Sequence, residues 1–280
     1  GKQLTKNKVQ INGNISSQYI SALLLIAASL PNGLRVELIG EITSIPYINM
    51  TLSLLEQIGV SATFEGQLIE VQPFKGIKKQ SLVVESDWSS ASYFYSIVAL
   101  STVGSAIRLS SYKKESLQGD AVLAKIYEHF GVETTYEANS VVLRKTIESN
   151  KELLKIDLNK APDIAQTIAV TCFGLGVSCE LLGLHTLKIK ETDRLEALQI
   201  ELTKLGANIS VTNTSLHLKT SSIIHANVSI ETYNDHRMAM AFAPLAMRVP
   251  LEILDAGVVT KSYRNFWKDL QQIGFQINKV

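Results

Sequence analysis

The amino-acid sequence predicts an α/β protein built from four copies of one β-α-β-α-β-β unit, with apolar helices inside and sheets outside. Polar anchor residues that lead into runs of small apolar residues recur at a fixed step: Ser17, Ser90, Asp163 and His236. Each step is 73 residues, from 90−17, 163−90 and 236−163. A second set of positions keeps the same step: Tyr47, Asp120, Asp193 and Phe266. One period that holds at two positions is typical of a chain made of repeated units.

The first half of each copy shows a strand signal followed by a helix signal. Short β-branched stretches predict strands at residues 9–12, 82–85, 154–157 and 228–231. The polar anchor follows and leads into helices of small apolar residues at 18–29, 91–101, 164–173 and 238–247. Because these helices are apolar nearly all round, they are predicted to be buried.

The second half of each copy predicts a strand, an amphipathic helix and, in the first three copies, a hairpin. The second strands fall at residues 34–39, 106–109, 178–182 and 251–254. Each amphipathic helix ends at a glycine, the residue expected at a left-handed helix C-cap: Gly59, Gly131, Gly206 and Gly274. The closing strands of the third copy are predicted at 208–212 and 215–218, around a turn at 213–214.

Length and composition narrow the class of protein. The chain has 280 residues, 46% apolar and 19% charged, which suits about two domains with a large core. Its net charge of +1 argues against a general nucleic-acid or membrane-surface binder, since either would carry a basic excess. No apolar run approaches the ~18 residues of a membrane span, and the polar start lacks a signal-peptide core. We therefore expect a cytoplasmic protein.

Cofactor signals are missing from the sequence. Cys172 and Cys179 are expected on one face of a buried helix as small hydrophobic residues, rather than as metal ligands or a disulfide. The chain has no glycine-rich phosphate loop, zinc-ligand spacing or dinucleotide fingerprint. We expect neither a cofactor nor a metal.

Polar residues at helix starts are the first candidates for chemistry. Residues 16–18 (Ser-Ser-Gln) open a helix, where free N–H groups favour an anion; they fit a phosphate or polyol site better than an ordinary N-cap. Residues 89–90 (Ser-Ser) are better explained as helix caps. Asp163 is either a helix cap or a base that accepts a proton from a hydroxyl group.

Later polar strings contain several cations. Lys190 and Arg194 lie at a helix N-terminus, where the helix dipole disfavours cations, so they predict contact with an anionic ligand. Arg194 and Arg237 offer planar forks for a carboxylate or phosphate, and Glu191 could exchange a proton with a carbon centre. Lys261 follows the second strand of the last copy, as Lys190 does in the third. Because equivalent ends of repeated units tend to face one crevice, these residues predict a cleft for a small polyanionic substrate.

The motifs resemble those of the 3-phosphoshikimate 1-carboxyvinyltransferase (5-enolpyruvylshikimate-3-phosphate synthase) family, from about Val9 to the C-terminus. The matching strings are SSQ at 16–18, SLQGD at 116–120, PD at 162–163, KETDR at 190–194 and NDHRMAM at 234–240. The resemblance implies an enolpyruvyl transferase fold, an inside-out α/β barrel with three units in each of two lobes. It also implies transfer of the enolpyruvyl group of phosphoenolpyruvate to the 5-hydroxyl of shikimate 3-phosphate, in chorismate and aromatic amino-acid biosynthesis.

The resemblance implies roles for particular residues. Two carboxylates match catalytic positions: Asp163 as proton acceptor from the attacking hydroxyl and Glu191 as the acid for the phosphoenolpyruvate methylene. The positions that match shikimate 3-phosphate contacts are Ser16, Ser17, Gln18, Ser44, Tyr47, Asp163 and Lys190. The positions that match phosphoenolpyruvate contacts are Gln18, Arg194, His236, Arg237 and Lys261. Thr186 departs from the family pattern, because an asparagine that touches the shikimate usually stands there.

The number of copies also departs from the family pattern, because six units are expected and four are present. The resemblance therefore assigns residues 1–85 to the last unit of an incomplete first lobe and 86–280 to a second lobe. Its three units lie at about 86–153, 154–227 and 228–280. We expect the chain to be inactive alone because N-terminal site residues are absent. The full-length enzyme is expected to be monomeric, and the state of a fragment stays open.

Two other functions remain alternatives on the sequence. One is a relative of UDP-N-acetylglucosamine enolpyruvyl transferase, which shares the architecture but has a loop cysteine with no counterpart here. The other is a non-catalytic binding protein built from the same repeats. The KETDR string favours the shikimate enzyme over the first alternative.

Overall fold

The computed structural model describes residues 6–14, 16–43, 45–74, 76 and 81–279. The chain forms two compact units. Unit 1 comprises residues 1–85 with 115–119, and unit 2 comprises 86–114 with 120–280. The predicted assignment of these parts to an incomplete lobe and a lobe of three copies stays a prediction. Among the described residues, no helix is both long and apolar enough to cross a membrane.

Unit 1 has the β-α-β-α-β-β order that the sequence predicts. Its elements are β1 (Lys8–Asn12), α1 (Ser17–Ala27), β2 (Leu34–Ile39), α2 (Ile45–Gln57), β3 (Ala62–Glu65) and β4 (Leu68–Val71). The sheet order is β1-β2-β4-β3, in which β1 and β2 are parallel and the pairs of β4 are antiparallel. The parallel pair places the ends of β1 and β2, and the loops that follow, at one edge of the sheet.

Unit 2 contains the remaining elements. In chain order they are α3 (Trp88–Leu100), β5 (Ala106–Ser110), α4 (Leu123–Ile126), β6 (Val132–Glu137), β7 (Ser140–Lys145), β8 (Leu154–Asp157), α5 (Ala165–Leu175), β9 (Cys179–Leu182), α6 (Arg194–Lys204), β10 (Asn208–Val211), β11 (Leu216–Lys219), β12 (Val228–Ile230), α7 (His236–Phe242), β13 (Leu251–Ile253) and α8 (Phe266–Gln272). The sheets have the orders β5-β7-β6, β8-β9-β11-β10 and β12-β13. As in unit 1, β8 is parallel to β9 and β12 is parallel to β13.

Helices α3 and α5 form the centre of the core of unit 2. Every residue of α3 except Ser90 is buried, as is every residue of α5 except Leu175. Their buried hydroxyls pair across the two helices: Ser92 with Thr167 at 2.9 Å and Ser96 with Thr171 at 2.8 Å. Small side chains let the helices approach, and the pairing satisfies polar groups that would otherwise be costly to bury.

The prediction that all the apolar helices are buried is wrong for α1. Only Ile20, Leu24 and Ala27 are buried, whereas Tyr19 is 65% exposed and Leu25 60%. Within unit 1, α1 has one partner helix, α2, so only one of its faces is covered. A run of apolar residues predicts burial only where the fold supplies a partner on every side.

Three further local predictions are wrong. No strand forms at 82–85, where Leu82, Val83 and Val84 are exposed, and a strand without a buried face has little to fix its register. Cys179 lies on β9, within the strand predicted at 178–182, so it does not share a helix face with Cys172, because Gly176 ends α5 in the left-handed conformation; both cysteines are buried as predicted. Helix α3 is capped by Asp87 rather than by the serine pair at 89–90, since the Asp87 side chain accepts from the N–H of Ser89 at 2.8 Å.

The glycines that end the amphipathic helices all have positive φ, as predicted. Gly131 is the most constrained, because its φ is 75° and a Cβ there would lie 2.1 Å from the carbonyl oxygen of Ile147. We expect Gly131→Ala to lower the free energy of unfolding of unit 2 by about 2–5 kcal/mol, from the left-handed backbone and the steric overlap. Urea denaturation measures the loss. The control Gly104→Ala, at φ 98° with open space around it, should lose less, and equal losses would contradict the steric argument.

Candidate anion-binding site

The candidate residues follow the ends of the parallel strand pairs. In unit 2, Asp163 comes after β8, the KETDR string at 190–194 after β9, and Lys261 after β13. The segment 234–237 comes after β12. Parallel neighbours in a sheet end at the same edge, and such edges are where α/β proteins place ligands. The repeat therefore brings chemistry-bearing residues from two copies together in unit 2.

Arg194 is the centre of this cluster, although only 1% of it is exposed. Its Nε donates to Asp235 Oδ2 at 2.6 Å, its Nη1 to Asp163 Oδ1 at 2.9 Å and its Nη2 to Glu191 Oε2 at 2.8 Å. The predicted fork for a ligand is thus occupied by three carboxylates of the protein itself. Charge-assisted bonds of this length are strong, so Arg194 organises the acids around it.

Asp163 lies against three cations. Besides Arg194, Lys190 Nζ is 3.4 Å from its Oδ1 and Arg237 Nη2 is 3.3 Å from its Oδ2. Burial acts to raise the pKa of Asp163, but the charges of Arg237, Lys190 and Arg194 outweigh it and hold the pKa well below its ordinary value. Asp163 sits in a 3-10 turn before α5, whose N-cap, Ile164, makes no side-chain cap. The contacts favour a site residue over the helix cap that the sequence left open.

His236 begins α7 beside two acids. Its Nδ1 is 3.9 Å from Glu191 Oε1 and 3.8 Å from Asp235 Oδ1, and it has no hydrogen-bond partner among the described residues. Burial lowers the pKa of His236, the Arg237 charge lowers it further, and Asp235 and Glu191 act in the opposite direction. The net effect keeps the imidazole neutral to lower pH than usual.

This shift predicts a pH dependence of stability. Because the folded state binds a proton at His236 less readily than the unfolded state does, its contribution is present above about pH 6.5 and lost on acidification. We expect the wild-type chain to lose more stability between pH 7.5 and pH 5.5 than His236→Gln. Urea denaturation at the two pH values measures the difference. Equal losses in both proteins would contradict it.

Glu191, Asp235 and His236 also bring one potential metal-ligand atom each to within 4.8 Å of one another. The carboxylates of Asp235 and Glu191 are already bonded to the Arg194 guanidinium. The positive charge of this group therefore takes the place that a metal cation would occupy beside them. Like charges in a buried site repel. The arrangement therefore favours an arginine-centred ion cluster over a metal centre.

Lys261 reaches the same segment from the end of β13. It is exposed, and its Nζ donates to the backbone carbonyl of Asn234 at 2.6 Å. Lys190 is partly exposed, and its Nζ lies 3.4 Å from Asp163 Oδ1. Lys190 and Arg237 thus have longer contacts with their acidic partner than Arg194 has, and Lys261 has a backbone carbonyl as its partner.

Unit 1 carries the remaining candidates. Ser16 is exposed and caps α1, because its Oγ accepts from the N–H of Gln18 at 3.4 Å. Ser17 is half-buried in the first turn, Gln18 is exposed, and Tyr47 is half-buried on α2. A backbone bond from Thr43 N–H to Gly13 O, at 3.1 Å, joins the two loops that carry these residues. Ser44 lies outside the described residues.

Sequence reasoning missed Asp235 as a site residue. It is fully buried, caps α7 by accepting from the Arg237 N–H at 2.8 Å, and bonds Arg194 through its other oxygen. An acid directly before a helix predicts an N-cap. No pattern near Asp235 predicts its bond to Arg194, which is distant in the sequence. Thr186, the residue that departs from the family pattern, has a buried hydroxyl without a hydrogen-bond partner among the described residues.

The repeated fold and the ion cluster at the strand ends define an α/β protein of the enolpyruvyl transferase fold. The chain superposes on the structure of EPSP synthase from Acinetobacter baumannii with a TM-score of 0.76 and 21% identity, covering 99% of this chain and 64% of that chain. It superposes on the enolpyruvyl transferase NikO from Streptomyces tendae with a TM-score of 0.72 and 14% identity, covering 99% and 66%. At these identities the likeness shows the fold.

The chain belongs to the EPSP synthase (3-phosphoshikimate 1-carboxyvinyltransferase) family, whose sequence model matches residues 1–270. It is 44% identical to the 3-phosphoshikimate 1-carboxyvinyltransferase of Bacteroides fragilis (strain YCH46), over 99% of this chain and 68% of the relative. Identity to the enzyme of that name from Haemophilus influenzae (strain PittEE) is 34%, over 97% and 62%. The chain thus spans about two thirds of the length of these relatives. The predicted family and fold class are confirmed.

Proposed function

We propose that the chain carries part of the site for enolpyruvyl transfer from phosphoenolpyruvate to the 5-hydroxyl of shikimate 3-phosphate, a step of chorismate and aromatic amino-acid biosynthesis. The observation that carries this proposal is the convergence of Arg194, Arg237 and Lys190 on Asp163, in a member of this family. Both substrates are polyanions, and a cluster of cations at strand ends suits them. A monomeric full-length enzyme and a cytoplasmic location remain predictions.

The proposal assigns different roles to the cations according to how tightly they are held. Arg237 reaches Asp163 at 3.3 and 3.4 Å, longer than a good charge-assisted bond, so it can turn to a carboxylate or phosphate of phosphoenolpyruvate. Lys190, at 3.4 Å, can likewise turn to shikimate 3-phosphate. Lys261 supplies a further charge from its exposed position. Arg194, which is buried and bonded through Nε, Nη1 and Nη2, keeps Asp235, Asp163 and Glu191 in place.

Asp163 becomes a stronger base when Arg237 and Lys190 turn from it to the substrate anions. While Arg237, Lys190 and Arg194 face Asp163, its low pKa makes it a weak base. When ligand anions neutralise Arg237 and Lys190, the pKa of Asp163 rises, because the charges that lowered it are then shared. Asp163 can then accept the proton of the 5-hydroxyl as its oxygen attacks C2 of phosphoenolpyruvate and Glu191 protonates the methylene carbon. Release of phosphate from the tetrahedral adduct, with return of a proton from its new methyl group to the Glu191 carboxylate, then yields the enol ether.

Ligand binding and phosphate release test the proposal. We expect calorimetry to detect binding of shikimate 3-phosphate to the chain, weakened about tenfold or more in Lys190→Met by loss of a charge-assisted contact. The control Lys188→Met should bind normally, since Lys188 is engaged by Asp193 and Asn213. Phosphate release is then measured with the chain mixed with the part of the Bacteroides fragilis relative that it does not cover.

We expect phosphate release only when both substrates are present. Release that responds to UDP-N-acetylglucosamine and not to shikimate 3-phosphate would favour the alternative transferase. Absence of binding by either acceptor would favour a non-catalytic repeat protein and would overturn the proposal.

A further inference from the structure

Helix α6 holds the segment that leads into α7 at two points. In its first turn, Arg194 bonds Asp235 at 2.6 Å. Two turns later, Glu201 accepts a bond from the Tyr233 hydroxyl at 2.7 Å and another from the N–H of Glu231 at 3.2 Å. Residues seven apart lie on one face of an α-helix, about 10 Å apart along its axis. The segment 231–235 therefore runs along α6 and is fixed at both ends.

The backbone of this segment adopts a conformation that needs such support. Tyr233 and Asn234 have φ values of 53° and 56°, two successive non-glycine residues in the left-handed region. Side chains with a Cβ disfavour that region, and it persists only where surrounding contacts hold it. Glu201 accepts a hydrogen bond from the Tyr233 hydroxyl, and Lys261 Nζ donates to the carbonyl oxygen of Asn234 at 2.6 Å. The turn so formed directs Asp235 back towards α6.

The carboxylate of Glu201 is fully buried and fully paired. Lys204 Nζ lies 2.9 and 2.8 Å from its two oxygens, and the tyrosine hydroxyl and the Glu231 N–H complete its partners. Burial raises the pKa of Tyr233, and the bond to Glu201 raises it further, so the hydroxyl remains a donor at physiological pH. Removing one partner of a buried ionic contact is strongly destabilising because it leaves a buried charge uncompensated, so Glu201 and its partners hold one another in place.

We infer that Glu201 and Tyr233 are positioning residues of the anion site: they hold Asp235 against Arg194 and thereby fix the start of α7. Neither residue is assigned a contact with substrate. They act through the turn at 233–234, which fixes the backbone position from which the Arg237 side chain extends. The effect on turnover rests on the proposed function, whereas the effect on the turn does not.

Hydrogen exchange at single amides, followed by NMR of the 280-residue chain, tests the inference without substrate. We expect Tyr233→Phe to speed exchange of the amides of Asp235 and Arg237 by about tenfold or more, because the turn then opens locally. The imidazole signals of His236 should shift as the neighbouring carboxylate moves. Glu201→Leu should have the larger effect, and Glu201→Gln an intermediate one, because the amide oxygen still accepts from the tyrosine.

Tyr95→Phe is the matched control. It also removes a tyrosine hydroxyl from unit 2, one that is bonded to Thr134 at 2.8 Å away from the segment. Its effect on residues 235–237 and on His236 should be negligible. If Tyr233→Phe leaves these amides unchanged, or speeds exchange evenly over unit 2 as general destabilisation would, the inference is wrong.

The phosphate-release assay gives a separate readout. We expect Tyr233→Phe to raise the KM for phosphoenolpyruvate about tenfold, as loss of positioning at one contact would, and to leave that for shikimate 3-phosphate within about twofold. Equal rises for both substrates, alongside the local exchange effect, would overturn the role in the site. Failure of the wild type to release phosphate would count against the proposed function, while the exchange data would still decide the role of the pair in the turn.

Discussion

Replacing Arg194 by methionine is expected to lower the free energy of unfolding of unit 2 by about 3–5 kcal/mol, because it leaves the buried carboxylate of Asp235 without its counter-charge. Asp235 is fully buried and has Arg194 as its guanidinium partner, and Glu191 and Asp163 bond the same group. Arg194→Lys should recover only part of the loss, since an ammonium group cannot form the same planar set of bonds. Urea denaturation followed by circular dichroism measures both.

Arg108→Met is the matched control for this prediction. Arg108 also bonds a carboxylate, that of Glu137, but both side chains are exposed, and surface pairs contribute about 0–1 kcal/mol. A loss in Arg194→Met no larger than in Arg108→Met would contradict the idea that Arg194 organises the cluster. The double variant Arg194→Met, Asp235→Asn should lose less than the sum of the two single changes, because the pair is removed together.

Replacing Asp163 by asparagine is expected to lower the rate of enolpyruvyl transfer by about 10²–10⁴-fold, the contribution of a positioned general base. Asparagine keeps the shape of the side chain but cannot take up the proton. It also removes the negative charge that neutralises Arg237 and Lys190 in the ligand-free chain. We therefore expect the affinity for phosphoenolpyruvate to be unchanged or higher while turnover falls. Turnover is measured as phosphate release, and affinity for phosphoenolpyruvate by calorimetry. Both use the chain mixed with the part of the Bacteroides fragilis relative that it does not cover.

Glu180→Gln is the control for the chemical role. Glu180 is another carboxylate with a lysine partner, Lys155 at 2.9 Å, and it lies on β9 away from the cluster. Its loss should leave the rate within about twofold, as for an ordinary surface substitution. A rate for Asp163→Asn within about tenfold of wild type, or a parallel loss of ligand affinity, would show that the residue is not the base.

The ion pairs of the ligand-free chain have a consequence for affinity. A substrate anion that binds Arg237 or Lys190 must replace a protein carboxylate, so part of each new contact is offset by the one that is lost. The proposed rise in the pKa of Asp163 follows from this exchange. The same exchange of ion-pair partners therefore binds the substrate anions and makes Asp163 a stronger base.

Much of the fold was accessible from sequence because its signals are local. The glycines after the amphipathic helices need positive φ, a property of one residue, and their spacing marks the repeat. The order of strands and helices in units 1 and 2 follows from hydrophobic periodicity. The positions of Asp163, Arg194 and Arg237 after strands follow from the same repeat.

Signals that depend on a distant partner gave wrong or incomplete predictions. Residues 82–84 carry the composition of a strand but are exposed and form none. Helix α1 is as apolar as its counterparts, yet only one of its faces is covered in unit 1. The sequence offered Cys179 both a helix face shared with Cys172 and the strand at 178–182, and the turn at Gly176 places it on the strand. In each case the local sequence was compatible with two structures, and contacts elsewhere selected one.

The amino-acid sequence by itself determined the repeat, most of the order of elements, the family and the candidate charged residues other than Asp235. Only the tertiary structure decided how those charges are paired. Arg194 and Asp235 are 41 residues apart in the sequence, and no local pattern reports their 2.6 Å bond. The physical reason is that helix and turn signals act over a few residues, whereas ion pairing depends on the distances between segments that folding brings together. The same holds for Glu201 and Tyr233, whose roles lie in a contact and not in a motif.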